Sequence, residues 1–279
     1  ENINIIDTYK LKNLETIGST GSPLIHESFD YIYTNVKKDV SVASLSGGTD
    51  IVGCFIGGNP LSVVRRGEIQ GPILGMDVHV YDENANSLKN EKGELVCIKS
   101  FPSMPLFFWN DKNNEKYHDA YFNKYENVWC HGDYILKTEN DGFIIFGRSD
   151  ATLNPGGVRI GTAEIYRQVE QIEEVLEGLV VGQIWKGDTR VVLFVRLNEN
   201  SNLTEELMDK IKTKIRTGAS PRHVPAKIIY VKDIPRTKSG KIAELAIRDL
   251  IHNKPINNIT ALANPECLEE YKNIKDLSV

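Results

Sequence analysis

A short loop rich in glycine, serine and threonine is the first segment of the chain that could do chemistry. Residues 18–24 read GSTGSPL, and small side chains of this kind let several backbone N–H groups converge on a phosphate. A phosphate loop of that type normally also carries a lysine, and Leu24 stands where the lysine is expected. Either the loop has lost that chemistry, or it serves another part of a nucleotide site whose charged groups lie elsewhere.

Four further segments carry side chains suited to phosphate, ribose or metal chemistry. They are SGGTD at 46–50, CHGDY at 130–134, GRSDATLNPGGVRIGTAEI at 147–165 and PRTKSGK at 235–241. Taken alone, each has an ordinary explanation, because a Gly-Asp pair is usually a turn and a Lys-Ser-Gly-Lys run is usually a solvated loop. Their joint occurrence in this order is what points to a function.

In this order the four segments resemble the adenylate-forming superfamily, which includes acyl-CoA synthetases, luciferases and peptide-synthetase adenylation domains. The segments GSTGSPL, SGGTDIVG, NPGGVRIGTAEIY, SPRHVPAKI and ALANPECLEEYKN further resemble the branch of this family that activates acetoacetate. That likeness runs from about Leu14 to the end of the chain, and it includes a tail from Lys254 that lies beyond the superfamily's usual terminal helix. The resemblance implies ligation of acetoacetate to CoA with ATP, through an acyl-adenylate, with another short acid as the alternative substrate.

The resemblance also implies a nucleotide site in the first half of the chain. In the superfamily the lysine-bearing phosphate loop lies upstream and a later small-residue segment packs on the adenine, which is the role implied for Gly21, Ser22 and Pro23. Thr49 would donate to an α-phosphate oxygen, and the Asp50 carboxylate would be a ligand of Mg²⁺, although most members carry Glu there. The residues assigned to ATP or AMP binding are Gly21, Ser22, Pro23, Ser46, Gly47, Gly48, Thr49, Asp50, Asp133, Arg148 and Arg159.

Two of these residues suit the ribose and phosphate by their chemistry. Asp133 can accept hydrogen bonds from both ribose hydroxyls, because a carboxylate has two oxygens and a vicinal diol presents two donors. The planar guanidinium of Arg148 suits ribose and phosphate better than a lysine would. The alternatives are a turn residue at Asp133 and a surface ion pair at Arg148. Gly47 and Gly48 stand where related acetyl-CoA synthetases carry bulky tryptophans, so we expect them to leave room for a longer acid.

The second half of the chain supplies the groups that the resemblance associates with the reaction steps. Lys241 would be the catalytic cation, since carboxylate attack on the α-phosphate brings two anions together and an ammonium can offset their repulsion. It matches the lysine that related synthetases acetylate, which implies a lysine acetyltransferase and a deacetylase as partners. Asp150 matches the hinge between two catalytic poses. Gly156 and Gly157 would line the pantetheine tunnel, and Arg216 would contact the CoA phosphates, although the helix dipole alone explains a basic last turn there.

No segment other than GSTGSPL has the composition of a phosphate loop, so the chain resembles the later part of a longer enzyme. The resemblance therefore implies a missing N-terminal half as a partner and a fragment that is inactive by itself. The rival hypothesis is a module that binds a nucleotide or CoA without turnover. ATP, Mg²⁺ and CoA are the expected substrates and metal, and no prosthetic group is expected.

Composition limits the remaining classes of partner and compartment. The 279 residues carry a net charge of −5, which gives no overall reason to bind nucleic acid or an anionic membrane. The four cysteines are widely spaced with no C-x-x-C pair, so we expect reduced thiols. Apolar runs are too short to span a bilayer and the N-terminus has no targeting pattern, so we expect a cytoplasmic protein.

The secondary structure that must position these residues is predicted to differ between the two halves of the chain. Between Ser41 and Gly147, short alternating apolar runs separated by turns predict antiparallel strands and a small barrel. After Arg148, periodic apolar residues predict a helix capped by Thr162, a hairpin around 186–189, a helix from Thr204 and a last helix from Lys241 to His252. The predicted fold class is α/β plus α+β: residues 1–148 form a truncated adenylation domain with a partial α/β layer and a β-barrel subdomain, and residues 149–279 form a small α+β lid with a C-terminal extension.

Overall fold

The computed structural model describes residues 5–256 and 259–278, and the chain divides into two compact units. The first unit runs to Ile145 and the second begins at Phe146. The boundary predicted from the sequence, after residue 148, lies a few positions further along the chain.

The first unit is built mainly from short strands. In chain order its elements are α1 (Ile5–Thr8), β1 (Thr16–Ser19), α2 (His26–Tyr31), β2 (Ser41–Ser44), β3 (Ser46–Gly48), β4 (Gly53–Gly57), β5 (Gly71–Pro72), β6 (Val78–Tyr81), β7 (Lys92–Cys97), α3 (Glu115–Tyr121), β8 (Trp129–Lys137) and β9 (Phe143–Arg148). The strands form a parallel pair β1-β2, a three-stranded antiparallel sheet β3-β4-β5, and a four-stranded sheet in the order β6-β7-β8-β9. The predicted hairpins between residues 41 and 147 are therefore present.

The strands of the first unit enclose a core that is rich in aromatic rings. The Trp129 ring is 1% exposed and meets Phe101 edge-to-face, with ring centroids 5.3 Å apart. Phe55 packs against both of these rings. Such pairs stabilise a core beyond their buried area because ring edges and faces carry opposite partial charges. The turn after β3 and strand β8 pack on this core through Ile51 and Ile135.

The second unit is a mixed sheet covered by helices. Its elements are α4 (Thr162–Val169), β10 (Val175–Trp185), β11 (Asp188–Leu197), α5 (Glu205–Gly218), β12 (Lys227–Tyr230) and α6 (Glu244–Ile251). Strand β11 is central, antiparallel to β10 and parallel to β12. The β10-β11 hairpin turns at Lys186 and Gly187, which both have positive φ, 49° and 85°, as a two-residue turn matched to strand twist requires.

Both faces of this sheet are buried, which explains the unbroken apolar runs of β10 and β11. Val180 and Leu193 pack with residues of α4 and α5 on one face. Leu179 and Phe194 point to the other face, which is covered by α6 together with the C-terminal tail. The tail, defined here as residues 254–278, contributes the buried side chains Leu262, Cys267, Leu268, Tyr271 and Leu277.

The helix predictions hold with shifts at their ends. Helix α5 begins as predicted, and the Thr204 hydroxyl accepts a hydrogen bond from the Leu207 N–H at 3.2 Å. Helix α4 is capped at Gly161, not Thr162, and the Glu164 carboxylate accepts from the Gly161 N–H at 2.9 Å. Helix α6 starts at Glu244, three residues later than predicted, because Lys241 lies in a turn closed by an Arg236–Ile242 bridge. Within the described ranges, no helix has the length and apolar character needed to cross a membrane.

Candidate functional site

The loops GSTGSPL and SGGTD leave the same edge of the first unit's parallel strand pair. Ser19 and Ser44 are register partners at the carboxyl ends of β1 and β2. The Leu45 N–H donates to the Ser19 carbonyl at 2.8 Å, and the Thr20 hydroxyl donates to the Leu45 carbonyl at 3.2 Å. Ligands of α/β proteins bind beyond this edge of the strands, and Gly21 and Ser22 are exposed there.

A buried polar cluster lies beside the second of these loops. The Ser46 hydroxyl donates to the Asp133 Oδ2 at 3.1 Å, and the His131 Nε2 lies 3.8 Å from the same oxygen. His131 Nε2 is also 3.2 Å from the Gly47 carbonyl. We call Ser46, His131 and Asp133 the carboxylate cluster. Both His131 and Asp133 are 8% exposed.

An irregularity in β8 aims the carboxylate cluster. Val96 pairs with Cys130 and Glu94 pairs with Tyr134, so two residues of β7 span four residues of β8. Gly132 has a φ of 80° at this point. Such bulges re-aim side chains next to functional sites. Sequence reasoning singled out Asp133 and missed His131, although its position two residues earlier in the strand was a usable signal.

Gly47 and Gly48 are explained by close packing. A Cβ at Gly47 would lie 2.0 Å from the Gly53 carbonyl oxygen, and one at Gly48 would lie 2.9 Å from the His131 ring. The small size of both residues therefore lets β3 approach β4 and the carboxylate cluster. Whether these glycines also leave space for a longer acid stays a prediction.

Thr49 and Asp50 occupy an exposed turn between β3 and β4. The Tyr121 hydroxyl donates to the Asp50 Oδ2 at 2.5 Å, and the Tyr121 ring stacks on Trp129 with centroids 3.6 Å apart. The turn ends at Val52, which has a φ of 47°, a conformation that a β-branched residue adopts only under strain. The Asp50 carboxylate is thus fixed from the core side while it faces solvent.

The carboxylate of Asp50 is chemically suited to Mg²⁺. Magnesium takes one or two protein carboxylates and fills its remaining positions with substrate phosphate and water. Across the described residues, no group of three or more His, Cys, Asp or Glu side chains is arranged to hold a metal ion.

Arg148 and Asp150 lie at the start of the second unit. The Arg148 Nε is 3.4 Å from the Asp150 Oδ1. The Asp150 carbonyl accepts a hydrogen bond from the Arg248 Nη1 of α6 at 2.8 Å. The backbone at the predicted hinge is therefore tied to α6, a contact that sequence reasoning missed because 98 residues separate its ends.

The two glycines assigned to CoA binding form an exposed turn with left-handed backbone. Gly156 and Gly157 have φ values of 57° and 78°, and the Asp188 carboxylate accepts from the Gly156 N–H at 3.0 Å. A Cβ at Gly156 would lie 3.9 Å from the Arg222 Nη1. Arg222 thus supplies a cation beside this turn, whereas Arg216 is exposed on the last turn of α5 and Arg159 is half-buried.

Lys241 stands on a tight exposed turn, which we call the lysine loop (residues 235–242). The Thr237 N–H donates to the Lys241 carbonyl at 2.8 Å, and the Lys241 N–H donates to the Thr237 hydroxyl at 3.1 Å. Gly240 has a φ of 85°, which glycine adopts without strain. The Lys241 side chain is exposed.

A half-buried tyrosine–carboxyl pair lies just beyond the lysine loop. The Tyr166 hydroxyl donates to the Glu244 Oε1 at 2.5 Å and accepts from the Val180 N–H at 3.0 Å. Burial raises the pKa of Glu244 despite the hydrogen bond from Tyr166, which lowers it. Burial and the neighbouring Glu244 raise the pKa of Tyr166.

Comparisons with known proteins agree on one family. A family model described as the AMP-binding enzyme C-terminal domain matches residues 164–241. The acetoacetyl-coenzyme A synthetase of Rhizobium meliloti is 59% identical over 97% of this chain and 42% of its own length. The acetoacetyl-CoA synthetase of Xenopus tropicalis is 46% identical, over 97% of this chain and 41% of its own length. The chain belongs to the adenylate-forming superfamily.

Within that superfamily the chain corresponds to the C-terminal portion of acetoacetyl-CoA synthetases, and it spans about two fifths of the length of these relatives. The solved acetoacetyl-CoA synthetase from Streptomyces lividans is 38% identical and covers 98% of this chain with a TM-score of 0.86, over 42% of its own length. A benzoate CoA ligase from Burkholderia xenovorans LB400, at 24% identity, covers 84% of this chain and 45% of its own length with a TM-score of 0.70, and shows the fold alone. The predicted fold class, a truncated adenylate-forming enzyme, is confirmed.

Proposed function

We propose that this chain is the C-terminal portion of an enzyme that ligates acetoacetate to CoA. ATP and acetoacetate would form acetoacetyl-AMP and pyrophosphate, and the CoA thiol would then displace AMP to give the thioester. The observation that carries this proposal is the 59% identity to an acetoacetyl-coenzyme A synthetase over 97% of the chain. The site supports it, because nucleotide-suited side chains converge at the carboxyl edge of β1 and β2.

The first unit would bind the nucleotide. Gly21, Ser22 and Pro23 would offer backbone surface to the adenine, and the buried Asp133 carboxylate would accept hydrogen bonds from the ribose hydroxyls. Its position is set by the Ser46 hydroxyl, which leaves it preorganised before the ligand arrives.

The turn after β3 would hold the phosphate and the metal. Thr49 would donate its hydroxyl to the α-phosphate, and Asp50, with one oxygen bonded to Tyr121, would offer its other oxygen to Mg²⁺. The ion would supply positive charge at the phosphate oxygens. The shorter reach of Asp compared with Glu calls for a water between this carboxylate and the ion.

The second unit would supply the groups for the two chemical steps. Lys241 would stabilise the negative charge that develops as the carboxylate attacks the α-phosphate. Arg148 would contact ribose and phosphate, and Asp150 would be the pivot between the two steps. Gly156 and Gly157 would admit the pantetheine arm, with Arg159, Arg216 and the nearby Arg222 as cations for phosphate. Acetylation of Lys241 stays a prediction.

The test uses the protein expressed with its upstream reading frame to the length of its relatives, which we call the full-length enzyme. Pyrophosphate release is measured with acetoacetate, acetate, propionate and butyrate. We expect the highest kcat/KM with acetoacetate, and a preference for any other acid would refute that substrate.

The role of Lys241 is tested by separating the two steps. We expect Lys241→Ala to lower adenylation by about 100-fold or more, a loss typical of one positioned transition-state donor, and to spare thioester formation from supplied acetoacetyl-AMP. Lys254→Ala, in the exposed start of the tail, is the matched control. Equal loss in both steps would contradict the assigned role.

A further inference from the structure

The lysine loop is closed on itself by short-range bonds and is held from outside by the tail. The Lys238 N–H donates to the Ala261 carbonyl at 2.9 Å, and the Ala263 N–H donates to the Arg236 carbonyl at 2.8 Å. Thr237 and Leu262 form an antiparallel bridge between these two bonds. The loop that carries Lys241 is therefore paired, backbone to backbone, with a segment of the tail.

One tail side chain, Asn264, secures the segment that leads into this loop. Its Oδ1 accepts from the Arg236 N–H at 2.9 Å, and its Nδ2 donates to the Ile234 carbonyl at 3.0 Å. The Nδ2 also donates to the Asp233 Oδ2 at 2.6 Å. The Nδ2 of Asn264 faces two oxygen acceptors and its Oδ1 faces an N–H donor, so the orientation of the amide is determined.

The chemistry of this segment explains why a side-chain amide is needed. Pro235 has no N–H and cannot continue a strand ladder. The Ile234 carbonyl and the Arg236 N–H, on either side of it, are paired with the Asn264 side chain and not with a neighbouring strand. An asparagine amide offers one donor group and one acceptor, as a neighbouring peptide would. Asn264 therefore replaces the missing strand at the point where the chain turns toward Lys241.

The residue is itself anchored to the core. Leu268 and Tyr271 follow it in the tail and are 5% and 1% exposed. The Tyr271 hydroxyl donates to the Asp233 carbonyl at 2.8 Å. Asn264 thus connects a buried, close-packed part of the second unit to the exposed lysine loop.

We propose that Asn264 is a positioning residue for Lys241, which sets the direction in which the lysine loop presents its ammonium group to the reacting phosphate. The inference rests on the proposed role of Lys241. A misplacement of about 1 Å in a reacting group can cost roughly 100-fold in rate. The Lys241 side chain is flexible, so the position of its ammonium group depends on how its backbone is held. Thioester formation does not use this ammonium, so the two steps respond differently to the residue.

The test is Asn264→Ala in the full-length enzyme, with acetoacetate-dependent ATP–pyrophosphate exchange measured beside thioester formation from supplied acetoacetyl-AMP and CoA. We expect kcat for exchange to fall at least tenfold with the KM for ATP within threefold, and thioester formation to stay within twofold. A loss of stability alone would lower both steps together, and that result, or no effect on either, would overturn the proposal.

A paired variant tests the bond itself. Asn264→Asp keeps the acceptor for the Arg236 N–H but sets a second carboxylate against Asp233, so exchange should fall at least tenfold. Adding Asp233→Asn restores a donor–acceptor pair between these two positions but not the bond to the Ile234 carbonyl, so we expect exchange to rise at least threefold above that of Asn264→Asp. If the second substitution restores no exchange, the proposal is overturned. This test remains decisive if Asn264→Ala does not fold.

Two further variants separate this inference from the proposed function. Glu270 lies in the same tail, and its Oε2 accepts from the Lys232 N–H at 2.8 Å, outside the lysine loop. Glu270→Ala should leave both steps within twofold, and a tenfold loss of exchange there would overturn a specific role for Asn264. If Lys241→Ala keeps full exchange, the proposed function of Lys241 fails; if it abolishes exchange while Asn264→Ala does not lower it, only the present inference fails.

Discussion

The carboxylate cluster of the first unit and the lysine loop of the second unit are built in opposite ways. Asp133 is 8% exposed and its position depends on Ser46, a residue 87 positions away. Lys241 is exposed, and the nearest bonds of its turn are made with Thr237, four positions away. A group that holds a ligand gains from burial and fixed partners, because preorganised polar groups need no rearrangement. A group that moves to contact a ligand, the role proposed for Lys241, has to be exposed. The contacts that hold the lysine loop are therefore made by its backbone with the tail.

The largest expected effect tests whether that support is part of the core. Leu268→Ala removes a side chain that is 5% exposed on the sheet face covered by the tail. We expect the free energy of unfolding to fall by about 3 kcal/mol, the usual cost of such a cavity, in urea denaturation followed by circular dichroism. Ile259→Ala is the control, since Ile259 is 45% exposed. An equal, small cost for the two variants would show that the tail is not part of the core.

A medium effect tests the carboxylate cluster as a ligand-holding group. Asp133→Ala removes charged hydrogen-bond acceptors, so we expect AMP to bind this chain about 30-fold more weakly, or about 2 kcal/mol, by calorimetry. Glu83→Ala, an exposed carboxylate after β6, is the control. If Asp133→Ala leaves the AMP affinity unchanged, the carboxylate cluster does not hold the ligand and its contrast with the lysine loop is lost. Absence of any AMP binding would count against the nucleotide site itself.

The smallest effect concerns Glu244, whose half-buried carboxyl group lies three residues after Lys241. The pKa of Glu244 is raised above its ordinary value of 4.5, chiefly by burial and further by Asp150, and Tyr166, Thr162 and Arg148 oppose the shift. Because the folded-state pKa is the higher one, this group favours the folded state below about pH 4.5, and that contribution is lost as the pH rises through the folded pKa.

Glu244→Gln keeps an acceptor for Tyr166 without the charge. Its free energy of unfolding should therefore exceed that of the wild type at pH 7 and match it near pH 4, measured by urea denaturation across this range. Glu205→Gln, in the exposed first turn of α5, is the control. A difference that stays constant with pH would show that Glu244 does not titrate in this range.

The strands and helices were largely predictable because they depend on local patterns. The β10-β11 hairpin followed from two apolar runs around Lys186 and Gly187, and α5 followed from its apolar spacing. The start of α6 was misplaced because the Arg236–Ile242 bridge that ends the lysine loop has no periodic signal.

The candidate site was predictable only where a side chain acts by its own chemistry. Asp133, Asp50 and Lys241 were singled out from residue type and resemblance. His131, Tyr121 and Asn264 were missed, because each acts through a partner distant in sequence: the Gly47 carbonyl, the Asp50 carboxylate and the Arg236 N–H. The close packing of Gly47 and Gly48 against Gly53 and His131 was also missed, since contacts between strands cannot be inferred from the sequence alone.

The sequence by itself determined the superfamily, through the resemblance of its motifs, and the order of the elements, because apolar spacing is a local property of the chain. The tertiary structure decided which side chains support them: a bulge in β8 that turns His131 and Asp133 toward Ser46, and a tail that covers one sheet face and holds the lysine loop. The physical reason is that hydrogen bonds and close packing act over a few ångströms, and folding alone brings residues tens of positions apart within that range.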